Sequence, residues 1–171
     1  LKEVWSHLGV LGTDGSGVSA STLKSGLDAA GTPNSSSLAT NVQSDGNITP
    51  GTASKTSGLI YLEAGKAYTF SGTGDDSLLV TIGGKNVAST TWGAGGNLNG
   101  TFTPTTSGYY TIDIYHHNQS GPGSYDVNLS VNGGAAVDLS NAGVPLYTGV
   151  TVLFTSPGPR EGILSRMPAS A

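Results

Sequence analysis

The chain of 171 residues contains no cysteine, which excludes disulfide bonds, thiolate metal sites and thiol nucleophiles. Charged residues are also scarce, at 11% of the sequence, where about a quarter is typical. Only seven residues are Lys or Arg, the formal net charge is -4, and no basic cluster occurs. Nucleic acid is therefore a poor candidate partner. No apolar run approaches the roughly 20 residues that a membrane span needs, so we expect no membrane insertion.

Glycine takes much of the place of the missing charge, with 27 residues, accompanied by many Ser, Thr and Asn. Such a composition disfavours helices and favours turns between strands. The hydrophobic fraction of 36% suffices for one core, and the length fits one domain. No signal peptide is apparent and the first residue is Leu1, so we expect a module of a larger protein that is monomeric in isolation.

The first 56 residues carry the least regular pattern. Apolar residues recur at helical spacing near the start, which predicts a short N-terminal helix. The Gly/Ser/Thr/Asn-rich stretch that follows predicts turns, short strands or part of a linker. We therefore expect residues 1–56 to be an N-terminal extension that packs on, or leads into, the rest of the domain. The apolar residues of the predicted helix are Leu1, Val4, Trp5 and Leu8.

From Gly58 onward, short alternating segments separated by turn signals predict β-strands. Gly83-Gly84 marks a hairpin, and Pro104 to Gly108 marks another turn. Many short strands without intervening helices predict an all-β fold, an antiparallel sandwich or barrel. We place its core at residues 57–156, including a strand within 149–154, and a C-terminal tail at 157–171. The clearest inward-facing residues are Tyr110, Ile112, Ile114, Tyr125, Val127, Leu129 and Val131.

Asp75 and Asp76 are the only adjacent pair among the 11 acidic residues. An ordinary solvated turn would explain the pair, since Asp is common before strands. The functional alternative is a site for a hard cation, because Ca²⁺ takes its ligands from carboxylate, amide and carbonyl oxygens and from water. Neighbouring strand residues point to opposite faces. A cis peptide between the two residues would instead turn both carboxylates to the same side.

The segment Tyr115 to Tyr125 connects the two best predicted strands and contains further oxygen donors. Its Gly-Pro-Gly sequence predicts a tight, exposed turn whose carbonyls can face a ligand, although a plain polar connection would look similar. A zinc site at His116 and His117 is disfavoured, because adjacent strand residues diverge and no cysteine is available. The side chains that offer oxygen atoms in this segment are Asn118, Gln119 and Ser120.

Trp92 lies in a glycine-rich segment that has a Gly-x-Gly sequence but no following helix, so a phosphate-binding loop is excluded. This Trp either plugs the edge of the core or stands partly exposed beside a sugar site. An EF-hand at Asp45 is excluded because the glycine and glutamate that the motif requires are missing.

The chain from about residue 57 to 131 resembles a PA14 domain, and within that family the sugar-binding PA14 modules of RTX adhesins from Gram-negative bacteria. The resemblance rests on three features in order: an Ala-Gly-x-Tyr-x-Phe strand, one residue longer than usual, then the Asp-Asp pair and a Gly-Tyr-Tyr strand. It implies an antiparallel β-sandwich lectin. The residues concerned are Ala64, Gly65, Tyr68, Phe70, Asp75, Asp76, Gly108, Tyr109 and Tyr110.

In sugar-binding members of the family, two aspartates joined by a cis peptide hold one Ca²⁺, and this ion binds vicinal hydroxyls of a monosaccharide. The resemblance implies that Asp75 and Asp76 are the carboxylate ligands here. It places Gln119 in the amide role, with Asn118 as the alternative, and a loop supplies backbone carbonyls. Those carbonyl donors would be Gly121 and Gly123, and the sugar would lie near Trp92, His116 and Ser120.

The resemblance therefore implies a Ca²⁺-dependent lectin module of a bacterial cell-surface adhesin, extracellular in location. Its partners would be fucose- or glucose-type glycans on host cells, on neighbouring cells or in biofilm. The alternative is a spacer or protein-contact module in which Ca²⁺ is purely structural. A glycosidase part is disfavoured because the chain shows no spaced pair of carboxylates suited to glycoside hydrolysis, so we expect no enzyme activity.

Overall fold

The computed structural model describes residues 1–39 and 41–148, which form two antiparallel β-sheets and one short α-helix. The all-β sandwich expected from the alternating strands is thus confirmed. In the described part of the chain, no helix is both long and apolar enough to cross a membrane. The helix α1 is Ala20–Asp28. The strands are β1 (Lys2–Ser6), β2 (Ser35–Ser37), β3 (Ser44–Ile48), β4 (Thr52–Leu62), β5 (Tyr68–Asp75), β6 (Ser77–Ile82), β7 (Lys85–Thr91), β8 (Asn97–Phe102), β9 (Gly108–His117), β10 (Gly123–Val131), β11 (Val137–Asp138) and β12 (Leu146–Tyr147).

The larger sheet has the order β2-β1-β4-β9-β6-β7, with β12 also paired to β4. The smaller sheet has the order β11-β10-β5-β8, with β3 also paired to β10. The chain passes from the smaller sheet to the larger one between β5 and β6, and back again between β9 and β10. Because β6 and β9 are hydrogen-bonded neighbours, these two crossing points lie side by side at one end of the sandwich.

The main core lies between the two sheets, where side chains alternate inward from both. The predicted alternation of β9 and β10 is confirmed, with Tyr110 and Val131 partly buried and the other predicted inward residues buried. The largest fully buried contributors are Phe70, Ile60, Leu62, Leu78, Ile82, Leu129 and Leu139.

A second core lies on the outer face of the larger sheet, beneath α1 and the N-terminal segment. All six residues of β6 are buried, because that strand has the main core on one face and this second core on the other. Adding this layer makes the molecule three layers deep. The buried members of the second core are Trp5, Leu11, Leu23, Leu27, Ala53, Leu79 and Tyr115.

The predicted short N-terminal helix is present as α1, but its predicted position at the first residues is wrong, since residues 2–6 form β1, which pairs with both β2 and β4. The hydrogen bonds that β1 makes to strands on both sides outweigh the helical spacing of its few apolar residues. The helix begins instead after Ser19, whose hydroxyl accepts a hydrogen bond from Thr22 N at 3.2 Å. Leu23 and Leu27 lie one helical turn apart and are both buried, a spacing that indicates a helix. The many Gly, Ser and Thr residues around them made this spacing hard to recognise in the sequence.

The boundary expected between residues 56 and 57 falls inside β4, which runs from Thr52 to Leu62. Part of the N-terminal extension therefore shares a sheet with the predicted core of the domain. The predicted strand within 149–154 and the tail at 157–171 lie outside the described residues.

Asp28, the last residue of α1, joins the helix to the larger sheet. Its carboxylate accepts hydrogen bonds from Lys24 at 2.6 Å, Lys55 at 2.9 Å and the Tyr115 hydroxyl at 2.8 Å. Burial acts to raise the pKa of Asp28, but these hydrogen bonds outweigh it and lower that pKa to about 2. The ionised carboxylate therefore stabilises the fold above its ordinary pKa of 3.8, and this contribution is lost as the pH falls through about 2.

Replacing Asp28 with Asn should lower the free energy of unfolding at pH 7 by about 1–2 kcal/mol, allowing for solvent screening of the partly exposed group. The difference from wild type should shrink as the pH falls from 4 to 2, because the native carboxylate then becomes protonated. Urea unfolding at several pH values measures this, with Asp138→Asn as an exposed control. A difference that stays constant down to pH 2 would show that the ion pairs contribute nothing.

Candidate functional site

Asp75 and Asp76 lie at the crossing from the smaller to the larger sheet, and the peptide bond between them is cis. The backbone of Asp76 is tied to two neighbouring strand ends. Asp76 N donates to His117 O at 3.2 Å, and Trp92 N donates to Asp76 O at 2.7 Å. The ends of β9 and β7 therefore hold the acidic pair in place.

The two carboxyl groups of the pair are close to each other, and that of Asp76 contacts the second crossing point. Asp76 is 2% exposed, and its Oδ2 accepts hydrogen bonds from Gln119 N at 2.7 Å and Ser120 N at 3.0 Å. Burial raises the pKa of Asp75 to about 6, helped by a hydrogen bond to Asp76 and by the negative charge of Asp76. Burial, the hydrogen bond and the neighbouring charge all disfavour the state in which both carboxylates are ionised. A positive charge bound between them would stabilise that state.

We call residues 118–122, between β9 and β10, the second loop. Asn118 is fully buried, and its Nδ2 donates to Ile48 O and Gly121 O, both at 2.7 Å. Its Oδ1 is buried and has no hydrogen-bond partner in the described part of the chain. A buried amide oxygen without a partner is unusual and is available to a ligand.

Gly123 lies directly against Asn118. A Cβ atom at position 123 would approach Asn118 Cβ and Cγ to 2.6 Å, so glycine is required for the observed packing. Gly121 has a φ of 66°, in the left-handed region that favours glycine. The two glycines that were predicted to be carbonyl donors thus shape the second loop around the Asn118 amide.

Gln119, our first choice for the amide ligand, uses its side chain elsewhere. Its Oε1 accepts a hydrogen bond from Gly17 N at 2.7 Å, and its Nε2 donates to Leu11 O at 2.7 Å. Of the two adjacent amides, Gln119 has both polar atoms engaged and Asn118 has the free oxygen. The contacts therefore favour Asn118, the alternative amide ligand, over Gln119.

Three residues were expected near a bound sugar, and they differ in how exposed they are. Trp92 is 57% exposed, and Ser120 is exposed on the second loop. His116 is only 1% exposed, so its ring lies behind the surface and not where a sugar could touch it. Its Nε2 lies 2.6 Å from Asp75 O, and its ring packs 4.9 Å from that of Tyr125.

His116 instead supports the backbone of Asp75 from inside the sandwich. Burial is the main cause that lowers the pKa of His116, to about 4, so the ring is neutral near pH 7. Since a carbonyl only accepts hydrogen bonds, Nε2 must carry the proton and donate it to Asp75 O. Both faces of the sheet are covered at this point, which explains why adjacent strand residues His116 and His117 are both buried.

The acidic pair and the second loop together offer several oxygen atoms that could act as metal ligands. Among residues 1–39 and 41–148, no group of three or more His, Cys, Asp or Glu side chains could hold a metal ion. Carboxylate, amide and carbonyl oxygens, such as those of the acidic pair, Asn118 and the second loop, are the ligands that a hard cation such as Ca²⁺ prefers.

The comparisons with known proteins identify a class of fold. No protein-family model and no curated protein sequence matches the chain. Among solved structures, a PA14 sugar-binding domain from an RTX adhesin superposes with a TM-score of 0.63 at 20% identity, covering 81% of this chain and 92% of that one. The PA14 domain of the MpAFP antifreeze protein superposes with a TM-score of 0.65 at 21% identity, covering 86% and 89%. The chain has the fold of PA14 domains.

A less similar match concerns an anti-sigma factor domain-containing protein from Clostridium clariflavum. It superposes with a TM-score of 0.60 at 13% identity, covering 91% of this chain and 48% of that one. At such identities the likeness establishes the fold alone.

Proposed function

We propose that this domain is a Ca²⁺-dependent carbohydrate-binding module, a lectin, of a cell-surface adhesin. The observation that carries the proposal is the contact between the second loop and the Asp75-Asp76 pair. That loop also contains the buried, partnerless Oδ1 of Asn118. A bound divalent cation would relieve the repulsion between the carboxylates and give the amide oxygen a partner.

The residues that would hold the ion are Asp75, Asp76 and Asn118, with the backbone carbonyls of Gly121 and Gly123. Gln119 is removed from the set because both polar atoms of its amide are already hydrogen-bonded. When bound, Ca²⁺ supplies open coordination positions that exchange water for sugar hydroxyls.

The protein's own contribution to sugar binding lies at the rim of the site. Trp92 presents an exposed ring beside the acidic pair, where it would pack on the apolar face of a sugar. Ser120 adds an exposed hydroxyl next to the Asp76 carboxylate. Because such a site is shallow, one module would bind weakly, and firm adhesion would require several modules acting together.

Two of the structural neighbours bear on this proposal in different ways. One is described as a sugar-binding domain from an RTX adhesin, and it covers most of the present chain. By analogy, we infer an extracellular module on a bacterial surface, acting on fucose- or glucose-type glycans of host cells, neighbouring cells or biofilm. The PA14 domain of an antifreeze protein shows that the fold also occurs in a protein of another description.

The contact between Asp76 and the second loop also favours a second function, in which the ion is purely structural. Asp76 already ties the second loop to the crossing point through two backbone N–H groups. An ion bound there would brace two loops without any sugar, as in a spacer or protein-contact module with a purely structural Ca²⁺.

Isothermal calorimetry with L-fucose and with D-glucose, in Ca²⁺ and then in EDTA, tests the proposed function. We expect Ca²⁺-dependent binding of at least one sugar at millimolar or tighter affinity, lost in EDTA. A control titration with Ca²⁺ alone measures the ion site directly. Ca²⁺ binding with no response to these sugars or to a wider glycan array would support the structural alternative, and absence of Ca²⁺ binding would overturn both.

A further inference from the structure

The segment 12–18, which we call the N-terminal loop, lies against the candidate site. Gly93 N, next to Trp92, donates to Ser16 O at 2.8 Å. A Cβ atom on Gly17 would lie 2.5 Å from the carbonyl oxygen of Asp76. The N-terminal loop therefore contacts both the Trp92 turn and the backbone of the acidic pair.

Gln119 connects the same loop to the third part of the site. Its side chain is 4% exposed and bridges Gly17 N and Leu11 O, each at 2.7 Å. Its backbone N–H simultaneously donates to Asp76 Oδ2. One residue thus joins the N-terminal segment, the second loop and a candidate ion ligand.

We propose that Gln119 is a positioning residue, through which the N-terminal loop holds the second loop in its ion-binding conformation. The affinity of the site for Ca²⁺ then depends on residues of the N-terminal extension that do not touch the ion. The effect on Ca²⁺ rests on the function proposed above, whereas the effect on the second loop exists without any ion.

A direct ligand role for the Gln119 side chain would break this arrangement. Turning Oε1 toward an ion would take the acceptor away from Gly17 N, a partly buried backbone donor. It would also remove the donor from Leu11 O, which is buried beneath the helix. Because Asn118 has a free oxygen one residue away, the positioning role leaves fewer polar groups unpaired.

Two substitutions test the contact from its two sides. Gln119→Met keeps the length of the side chain but removes both hydrogen bonds. Gly17→Ala adds a Cβ that would meet Asp76 O at 2.5 Å, Thr91 Cβ at 2.8 Å and Ser77 Oγ at 2.9 Å, at a φ of 93°. We expect each variant to weaken Ca²⁺ affinity, measured by calorimetry with Ca²⁺ alone, by about tenfold or more. Gln119→Met removes both hydrogen bonds to the N-terminal segment, and Gly17→Ala displaces the backbone N–H that Gln119 Oε1 accepts from.

A second readout needs no metal. The amide protons of Gln119 and Ser120, which bond Asp76 Oδ2, should exchange with solvent faster in both variants than in wild type, when followed by NMR in EDTA. Amides in the middle of β10, such as Val127, should keep their wild-type rates relative to global unfolding.

Matched controls separate positioning from general loss of stability. Asn132→Gly removes a side-chain bond to Ala67 N while suiting the positive φ of that position, at the other end of β10. Gly31→Ala adds a Cβ with nothing within 4 Å, in the same N-terminal extension as Gly17. Both controls should leave Ca²⁺ affinity and the exchange of the second loop unchanged.

Unchanged Ca²⁺ affinity in Gln119→Met and Gly17→Ala, or equal losses in the two controls, would overturn the positioning role. If the wild-type protein itself binds no Ca²⁺, the proposed function fails. The exchange measurement then still tests whether Gln119 positions the second loop. Faster exchange at Gln119 and Ser120 then supports the positioning of the second loop, and unchanged exchange refutes it.

Discussion

Asp76→Asn should lower the affinity for Ca²⁺ by about 100-fold or more and abolish Ca²⁺-dependent sugar binding, because affinity in oxygen sites follows the charge of the ligands. The Asn side chain keeps the shape of Asp76 and retains an oxygen that can accept from Gln119 N and Ser120 N. The variant therefore removes a charge with little change to the second loop. Calorimetry with Ca²⁺, and then with sugar, measures both effects.

The metal-free Asp76→Asn protein should unfold at a temperature no lower than wild type. The negative charge of Asp76 is one of the causes that raise the pKa of Asp75, so its removal relieves repulsion in the absence of an ion. Asp138→Asn, an exposed change of the same charge, should leave Ca²⁺ binding intact. Retention of wild-type Ca²⁺ affinity in Asp76→Asn would refute the assignment of the ion site.

Leu79→Ala should lower the free energy of unfolding by about 2–5 kcal/mol, the range for a buried leucine whose removal leaves a cavity. Leu79 is 0% exposed and lies in the second core, on the outer face of β6. The matched change Leu38→Ala affects a leucine that is 60% exposed and should cost no more than about 0.5 kcal/mol. Urea unfolding followed by far-UV circular dichroism measures both variants.

This comparison tests whether the helical layer is an integral part of the domain. A cost for Leu79→Ala similar to that for Leu38→Ala would mean that α1 packs too loosely to exclude water from the outer face of β6. A large cost, with the sandwich spectrum retained at low urea, would show that the second core contributes to the same cooperative unit as the first.

The sandwich could be predicted because its signals are local. Tyr125, Val127 and Leu129 face inward because apolar and polar residues alternate along one short segment. The Gly83-Gly84 turn likewise joins two strands that are adjacent in the sequence. The acidic pair is equally local, since two neighbouring carboxylates stand out in a chain with few charges. The third layer was missed because α1 has only two buried leucines within a polar, glycine-containing stretch.

The choice between Asn118 and Gln119 could not be made from the sequence. The two amides are adjacent and chemically alike. What distinguishes them is the occupation of Gln119 by Gly17 and Leu11, which lie 102 and 108 positions away in the chain. The burial of His116 likewise depends on Tyr125 in the opposite sheet, a contact that local periodicity does not reveal.

The position of β1 inside the larger sheet, between the edge strand β2 and the long strand β4, decides where this domain can be cut. A shortened fragment starting at residue 57 would remove β1, α1 and half of β4, and would uncover Leu79 and Tyr115. Such a fragment would present an apolar surface and an open strand edge, and we expect it to aggregate on expression. In any engineered tandem array of this module, each repeat should therefore begin before Lys2, with the linker placed ahead of β1.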